Sequence, residues 1–113
     1  MAIRLAGSAI DGLQTLFHGG VIGNWTDSQL VTLFLTDEEG SEAAFRVLIH
    51  RHGPMVLGIC RRVLGDEHAA EDAFQATFLV LVKKAGGLQD CNLLSNWLYG
   101  VALRIANKEK AKG

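Results

Sequence analysis

Residues 71–81 read Glu71-Asp72-Ala73-Phe74-Gln75-Ala76-Thr77-Phe78-Leu79-Val80-Leu81, acid and amide groups running into an almost unbroken apolar stretch. The run Phe78 to Val82 has strand-like propensity, but the Ala-rich, acidic start and the length decide for a helix. That helix is predicted from about His68 to Lys84, with Gly86-Gly87 as its stop. Its apolar residues Phe74, Phe78, Leu79, Leu81 and Val82 cover more than one face. Asp72, Gln75, Leu79 and Val82 fall on one line at three- and four-residue steps. The line reads in two ways. It is either a docking surface, polar above and apolar below, or the rim of a thoroughly buried central helix.

Downstream, Leu88 to Asn92 reads as a loop, and Asn92 or Ser95 as the cap of a last helix through Trp97, Leu98, Val101, Ala102, Ile105 and Ala106. Trp97 and Tyr99 are followed on that helix by Arg104 and Lys108, one turn apart on one face. Aromatics that stack on unpaired bases, beside cations that hold phosphates, are the chemistry of single-strand capture. A core tryptophan with a solvated basic terminus is the competing reading.

Upstream, Thr26-Asp27-Ser28-Gln29 is a capping box for a short helix through Leu30, Leu33 and Phe34, ending before Asp37-Glu38-Glu39-Gly40. Ser41 is predicted to cap the next helix, with Glu42 in its first turn favouring the dipole. Phe45, Leu48, Ile49, His52, Val56, Ile59, Cys60 and Val63 are spaced along it for one buried face. Gly53-Pro54 falls inside, so a kink or a break into two helices is predicted there. Gly65-Asp66 closes this element, and Asp66 is predicted to cap the following one. At the N-terminus, Ile3, Ala6, Ile10, Leu13 and Phe17 make an amphipathic stripe, weakened by Gly7 and Gly12. Gly19-Gly20 ends it. The predicted division is therefore an N-terminal helix and Gly-rich joint over 1–24 and a helical domain over 25–113. The N-terminal helix is either packed on the body or dependent on a partner.

At 113 residues the chain supports one small domain, and 49% hydrophobic against 20% charged residues argues against wholesale disorder. One proline and no succession of short alternating runs speak against an all-β sandwich. The expected fold class is all-α, a small bundle of three to four core helices, since short links favour antiparallel neighbours. Net charge is -1, but its distribution is uneven: acidic residues crowd between Asp27 and Asp72, while Arg104, Lys108, Lys110 and Lys112 face Glu109 alone near the C-terminus. Cys60 and Cys91 form no CxxC pair, with Cys60 expected in the core. His50 and His52 flank Arg51 and point to different helix faces, so no metal site is expected. No nucleophile elbow, phosphate loop or paired-carboxylate motif is present, and neither an enzyme nor a cofactor is expected. The N-terminus is a poor signal peptide, no run is long enough for a membrane span, and the expected compartment is the cytoplasm.

Residues 26 to 108 resemble region 2 of extracytoplasmic-function sigma factors, particularly a group with the run Arg-His-Gly-Pro-Met-Val-Leu-Gly, here Arg51 to Gly58. The block from Glu71 to Leu79 is similar to the family's core-polymerase-binding helix. The block Trp97-Leu98-Tyr99-Gly100-Val101-Ala102 is similar to the helix that reads and opens the promoter minus-ten element. The resemblance implies that Asp72 and Gln75, with Phe78, Leu79 and Val82 beneath, dock on the β′ clamp helices of core RNA polymerase. It implies that Leu88, Gln89, Asp90, Cys91 and Asn92 match the segment that pockets a base flipped from the non-template strand. Flipping costs a few kcal/mol, so stacking and base-edge hydrogen bonds must be supplied; Asn92 and Asn96 carry suitable amides. Trp97 would pack under the loop or stack at the melted edge, and Arg104 and Lys108 would track phosphates. Asp90 departs from this logic, since it repels phosphate. The family continues into a second helical domain, region 4, and the end at Lys112-Gly113 leads to the expectation that region 4 is lacking. An anti-sigma factor is a further implied partner, and an amphipathic N-terminal helix would offer apolar surface for a homodimer. Two alternatives are a module that binds polymerase or an anti-sigma factor without productive promoter recognition, and a bundle of merely structural likeness.

Overall fold

Thr26 opens the first helix as the capping box requires. Its hydroxyl accepts from the Gln29 amide at 3.1 Å, and the Gln29 side chain accepts from the Thr26 amide at 2.8 Å. These two bonds satisfy donors that a helix start leaves orphaned. The computed structural model describes residues 22–112, so the N-terminal helix predicted over residues 1–18 lies outside the described residues. Four helices follow: α1 (Asp27–Thr36), α2 (Ser41–Leu64), α3 (Glu67–Lys84) and α4 (Leu94–Lys112). Single 3-10 turns occupy Ile22–Asn24 and Ala85–Gly87, and no strand occurs among the described residues. The fold is all-α.

Two local expectations need correction and a third is narrowed. Helix α2 starts at Ser41 itself, and Gly40 accepts the first helical bond from the Ala44 amide at 2.9 Å, so Ser41 stands inside the helix and is not its cap. Pro54 lies inside α2, and the helix is one element from Ser41 to Leu64, so of the two expected outcomes, a kink or a break, the break into two helices does not occur. Proline removes one backbone bond. Buried Leu48, His52, Val56, Ile59 and Cys60 on either side favour continuing the helix. Helix α4 begins at Leu94, which leaves Asn92 outside and Ser95 in the first turn; the Trp97 amide bonds the Leu93 carbonyl at 3.1 Å. Burial of Leu94 at the first position sets that start.

Between α2 and α3 the expected turn is present. Gly65 has a φ of 67°, the left-handed conformation of a helix stop, and its amide bonds the Arg61 carbonyl at 2.9 Å. Asp66 then caps α3, its Oδ2 accepting from the Ala69 amide at 2.8 Å. Arg61 and Glu67 clasp this corner at 2.8 Å, and the hydrogen bond from Arg61 lowers the Glu67 carboxyl below its usual range. Both side chains are more than half exposed, so the pair adds little to stability.

The chain divides into two units. Of the described residues, the first holds 22–51 with 85–92, and the second holds 52–84 with 93–112. The first unit buries Ile22, Leu30, Val31, Phe45, Leu48, Ala85 and Leu88. Its α1 packs on the 3-10 turn at Ala85–Gly87, and the Phe34 and Phe45 rings meet at 5.5 Å. Arg51 ties it together, bonding Asp27 Oδ1 and the Gly23 carbonyl, each at 2.7 Å. In the second unit α3 packs on α4, with Val56, Ile59, Cys60, Ala73, Phe78, Leu81, Leu98, Val101 and Ala102 buried. Burial pushes the Cys60 thiol up, as expected of a core cysteine. No helix among the described residues is long and apolar enough to cross a membrane.

Candidate functional site

Helix α3 turns Ala70, Ala73, Thr77, Phe78 and Leu81 inward. The Thr77 hydroxyl donates to the Ala73 carbonyl at 2.8 Å, which lets a polar side chain sit fully buried. On the opposite face Glu71, Asp72, Gln75 and Leu79 are exposed, and Val82 is half-buried. Leu79 is 49% exposed, although it stands in the middle of the most apolar stretch of the chain. The helix thus resolves its excess of apolar side chains by leaving one on a polar face. Phe78 separates from the others. It has no exposed surface and its ring meets Phe74 at 5.1 Å, so it belongs to the core beneath the line and is not a surface contact. A step of one residue turns a helix by about 100°, which is why neighbours Phe78 and Leu79 end up on different faces.

The loop segment lies in the first unit and is described by itself. Leu88 is 7% exposed, which makes it part of that unit's core and removes it from the surface assigned to it above. Its amide bonds the Ala85 carbonyl at 2.9 Å and its carbonyl accepts from Cys91 at 3.1 Å, a pair of tight turns that fold the side chain inward. Gln89 is half-buried and its carbonyl accepts from the Ser28 hydroxyl, while Asp90 and Asn92 are exposed.

Helix α4, in the second unit, buries Leu94, Leu98, Val101, Ala102 and Ala106. Trp97 is half-buried at the edge of that face, and Arg104 and Lys108 follow it on one line, both exposed. The Arg104 guanidinium lies back along the helix over Gly100, where a methyl group would sit 3.6 Å from Nη1. Lys112 pairs with Glu109, the one acid of this helix, at 3.1 Å. Asn96 is exposed, as are Leu93 at 63% and Tyr99 at 47%. Leu93 is an exposed large apolar residue beside that line which the sequence reasoning did not single out. Its signal is the Leu93-Leu94 pair: only one can point inward at a helix start, and Leu94 takes that place.

His50 is exposed and His52 buried, on different faces, and among the described residues no three His, Cys, Asp or Glu gather as a metal site requires. The surfaces offer contacts for binding, with a polar helix line on α3 and an aromatic and cationic line on α4.

The family model described as Sigma-70 region 2 matches residues 48–112. The chain is 34% identical over 68 residues to RNA polymerase sigma factor CarQ of Myxococcus xanthus, covering 60% of this chain and 39% of that protein. It is 28% identical over 80 residues to RNA polymerase sigma-H factor of Pseudomonas aeruginosa, covering 71% of this chain and 40% of that protein. The chain therefore spans about two fifths of the length of these relatives. No solved structure matches it.

Proposed function

The chain belongs to the sigma-70 region 2 family, and from that premise we propose that it is an extracytoplasmic-function type module that binds core RNA polymerase and engages the promoter minus-ten element. Its work is binding and strand capture in the cytoplasm, with residues 25–113 as the working domain. The single observation that carries the polymerase half is Leu79, half exposed on a face otherwise made of Glu71, Asp72 and Gln75. An apolar anchor ringed by hydrogen-bonding groups is the composition of a docking hot spot. Asp72 and Gln75 supply the polar contacts, Leu79 and Val82 the buried ones, and Phe78 holds the helix from below. The DNA half rests on the α4 line, where Trp97 stacks and Arg104 and Lys108 hold phosphates, with Asn96 on the same helix and Gln89 and Asn92 in the loop. An anti-sigma factor would act by covering the Leu79 face, and a homodimer by covering the N-terminal stripe.

A second reading is favoured by exposed Asp90 and buried Leu88 in the loop. On this reading the module docks on polymerase without productive promoter recognition. One pair of measurements separates the two. Capture of core polymerase should be lost in the double variant Asp72→Ala, Gln75→Ala and in Leu79→Asp. Binding of a single-stranded minus-ten oligonucleotide should be lost in Trp97→Ala under the first reading alone. Polymerase capture with no oligonucleotide binding at low salt selects the second reading; no capture by the unaltered chain overturns both.

A further inference from the structure

Ser28, in the first turn of α1, donates its hydroxyl to the Gln89 carbonyl, 61 residues away in the chain. The donor side of this bond is held firmly. Asp27 accepts from Arg51 at 2.7 Å, and Gln29 closes the capping box on Thr26 at 2.8 and 3.1 Å. Arg51 also holds the Gly23 carbonyl at 2.7 Å, just beyond fully buried Ile22. The backbone on either side of Ser28 is thus tied down, and α1 packs on the Ala85–Gly87 turn that leads into the loop.

The acceptor side is a turn. Leu88 is buried and its carbonyl accepts from the Cys91 amide at 3.1 Å, so Leu88-Gln89-Asp90-Cys91 is a four-residue turn with Gln89 and Asp90 at its centre. The Gln89 carbonyl belongs to the central peptide, whose flip separates a type I from a type II turn. Type II requires a positive φ at the third residue, and Asp90 has none. The loop's own backbone bonds, from Leu88 to Ala85 and from Cys91 to Leu88, do not involve that central peptide. Ser28 does, and a flip would turn the carbonyl away and break the bond.

We propose that Ser28 is a positioning residue of the strand-capture loop. It holds the Gln89–Asp90 peptide in one orientation and so sets where Gln89 and Asn92 present their amides to an unpaired base. This rests on the minus-ten reading proposed above. Base-edge hydrogen bonds form at least cost when donors and acceptors are placed in advance. The one hydroxyl proton of Ser28 is spent on the loop, so the residue acts through Gln89 and not on the base.

Two measurements on the full chain test this. Without nucleic acid, the Asp90 amide should have an order parameter near the rigid value of about 0.85, falling below about 0.6 in Ser28→Ala. The amides of α1 and α2 should stay rigid, and Ser28→Thr, which keeps the hydroxyl, should match the unaltered chain. The second measurement is binding of a single-stranded minus-ten oligonucleotide and of copies lacking one base at each position in turn. In the unaltered chain, loss of the captured base should cost most. Ser28→Ala should weaken the intact oligonucleotide about fivefold, the worth of one ordinary hydrogen bond. It should leave the copy lacking the captured base unchanged, since phosphate and α4 contacts alone hold that copy. A role confined to the fold of α1 would weaken all copies alike. That result, an unaffected Ser28→Ala, or a Ser28→Thr that behaves as the alanine variant overturns the proposal. An unaltered chain that binds no oligonucleotide overturns the minus-ten reading and the proposal with it, whereas binding that Ser28→Ala leaves intact overturns the proposal alone.

Discussion

Phe78 and Leu79 are adjacent, equally apolar, and opposite in consequence. The first has no exposed surface and the second is 49% exposed. Truncating a buried phenylalanine removes its transfer free energy and leaves a cavity, so Phe78→Ala should cost about 3–5 kcal/mol of stability. Leu79→Asp should stay within about 0.5 kcal/mol of the unaltered chain, because a surface substitution leaves no cavity. Urea unfolding of the two variants checks this, and equal losses would show that Leu79 is a core residue after all. The contrast also guards the polymerase test: a Leu79→Asp protein that fails to bind does so while folded. The polar members of the line were legible as a helical register, since Asp72, Gln75, Leu79 and Val82 follow from spacing alone. Which of Phe78 and Leu79 faces out was not, because both steps satisfy an apolar pattern and only the position of α4 against α3 breaks the tie.

Among the elements, those whose ends carry their own hydrogen-bonding groups were the most predictable. The Thr26 box, the Gly65 stop and the Asp66 cap each satisfy orphaned backbone groups within a few residues, so sequence neighbours contain the whole interaction. Thr26→Ala removes the hydroxyl that accepts from Gln29 and should destabilise by about 1 kcal/mol. Chemical denaturation followed by circular dichroism reads this, and no loss would mean that α1 is held by packing alone. The misjudged ends, at Ser41 and at Leu94, are those where a good capping residue stands near but the buried side chains set the register. At Pro54 the break, one of the two outcomes expected there, is likewise absent, since burial on both sides of it outweighs the one bond that it removes.

For the molecule as a whole, a net charge of -1 conceals a polar division: all acids but Asp90 and Glu109 stand before residue 73, and α4 carries an excess of cations. If Arg104 and Lys108 each neutralise a phosphate, replacing both by alanine should reduce the slope of log affinity against log salt by about 1.4 for a single strand. Titrating oligonucleotide binding across salt concentrations measures it, and an unchanged slope would exclude both from the phosphate path. Sequence by itself determined the all-α class, the order and approximate bounds of α1 to α4, and the helical line on α3, because these depend on periodicity, caps and breakers acting over a few residues. It also carried the family resemblance that the region 2 match bears out across 48–112. Only the tertiary structure decided that Leu88 is core, that Phe78 lies under the α3 line, that Leu93 is exposed, and that Ser28 meets the Gln89 carbonyl. Those outcomes depend on which neighbour covers each side chain, and pairwise packing between distant segments leaves no local trace in the chain.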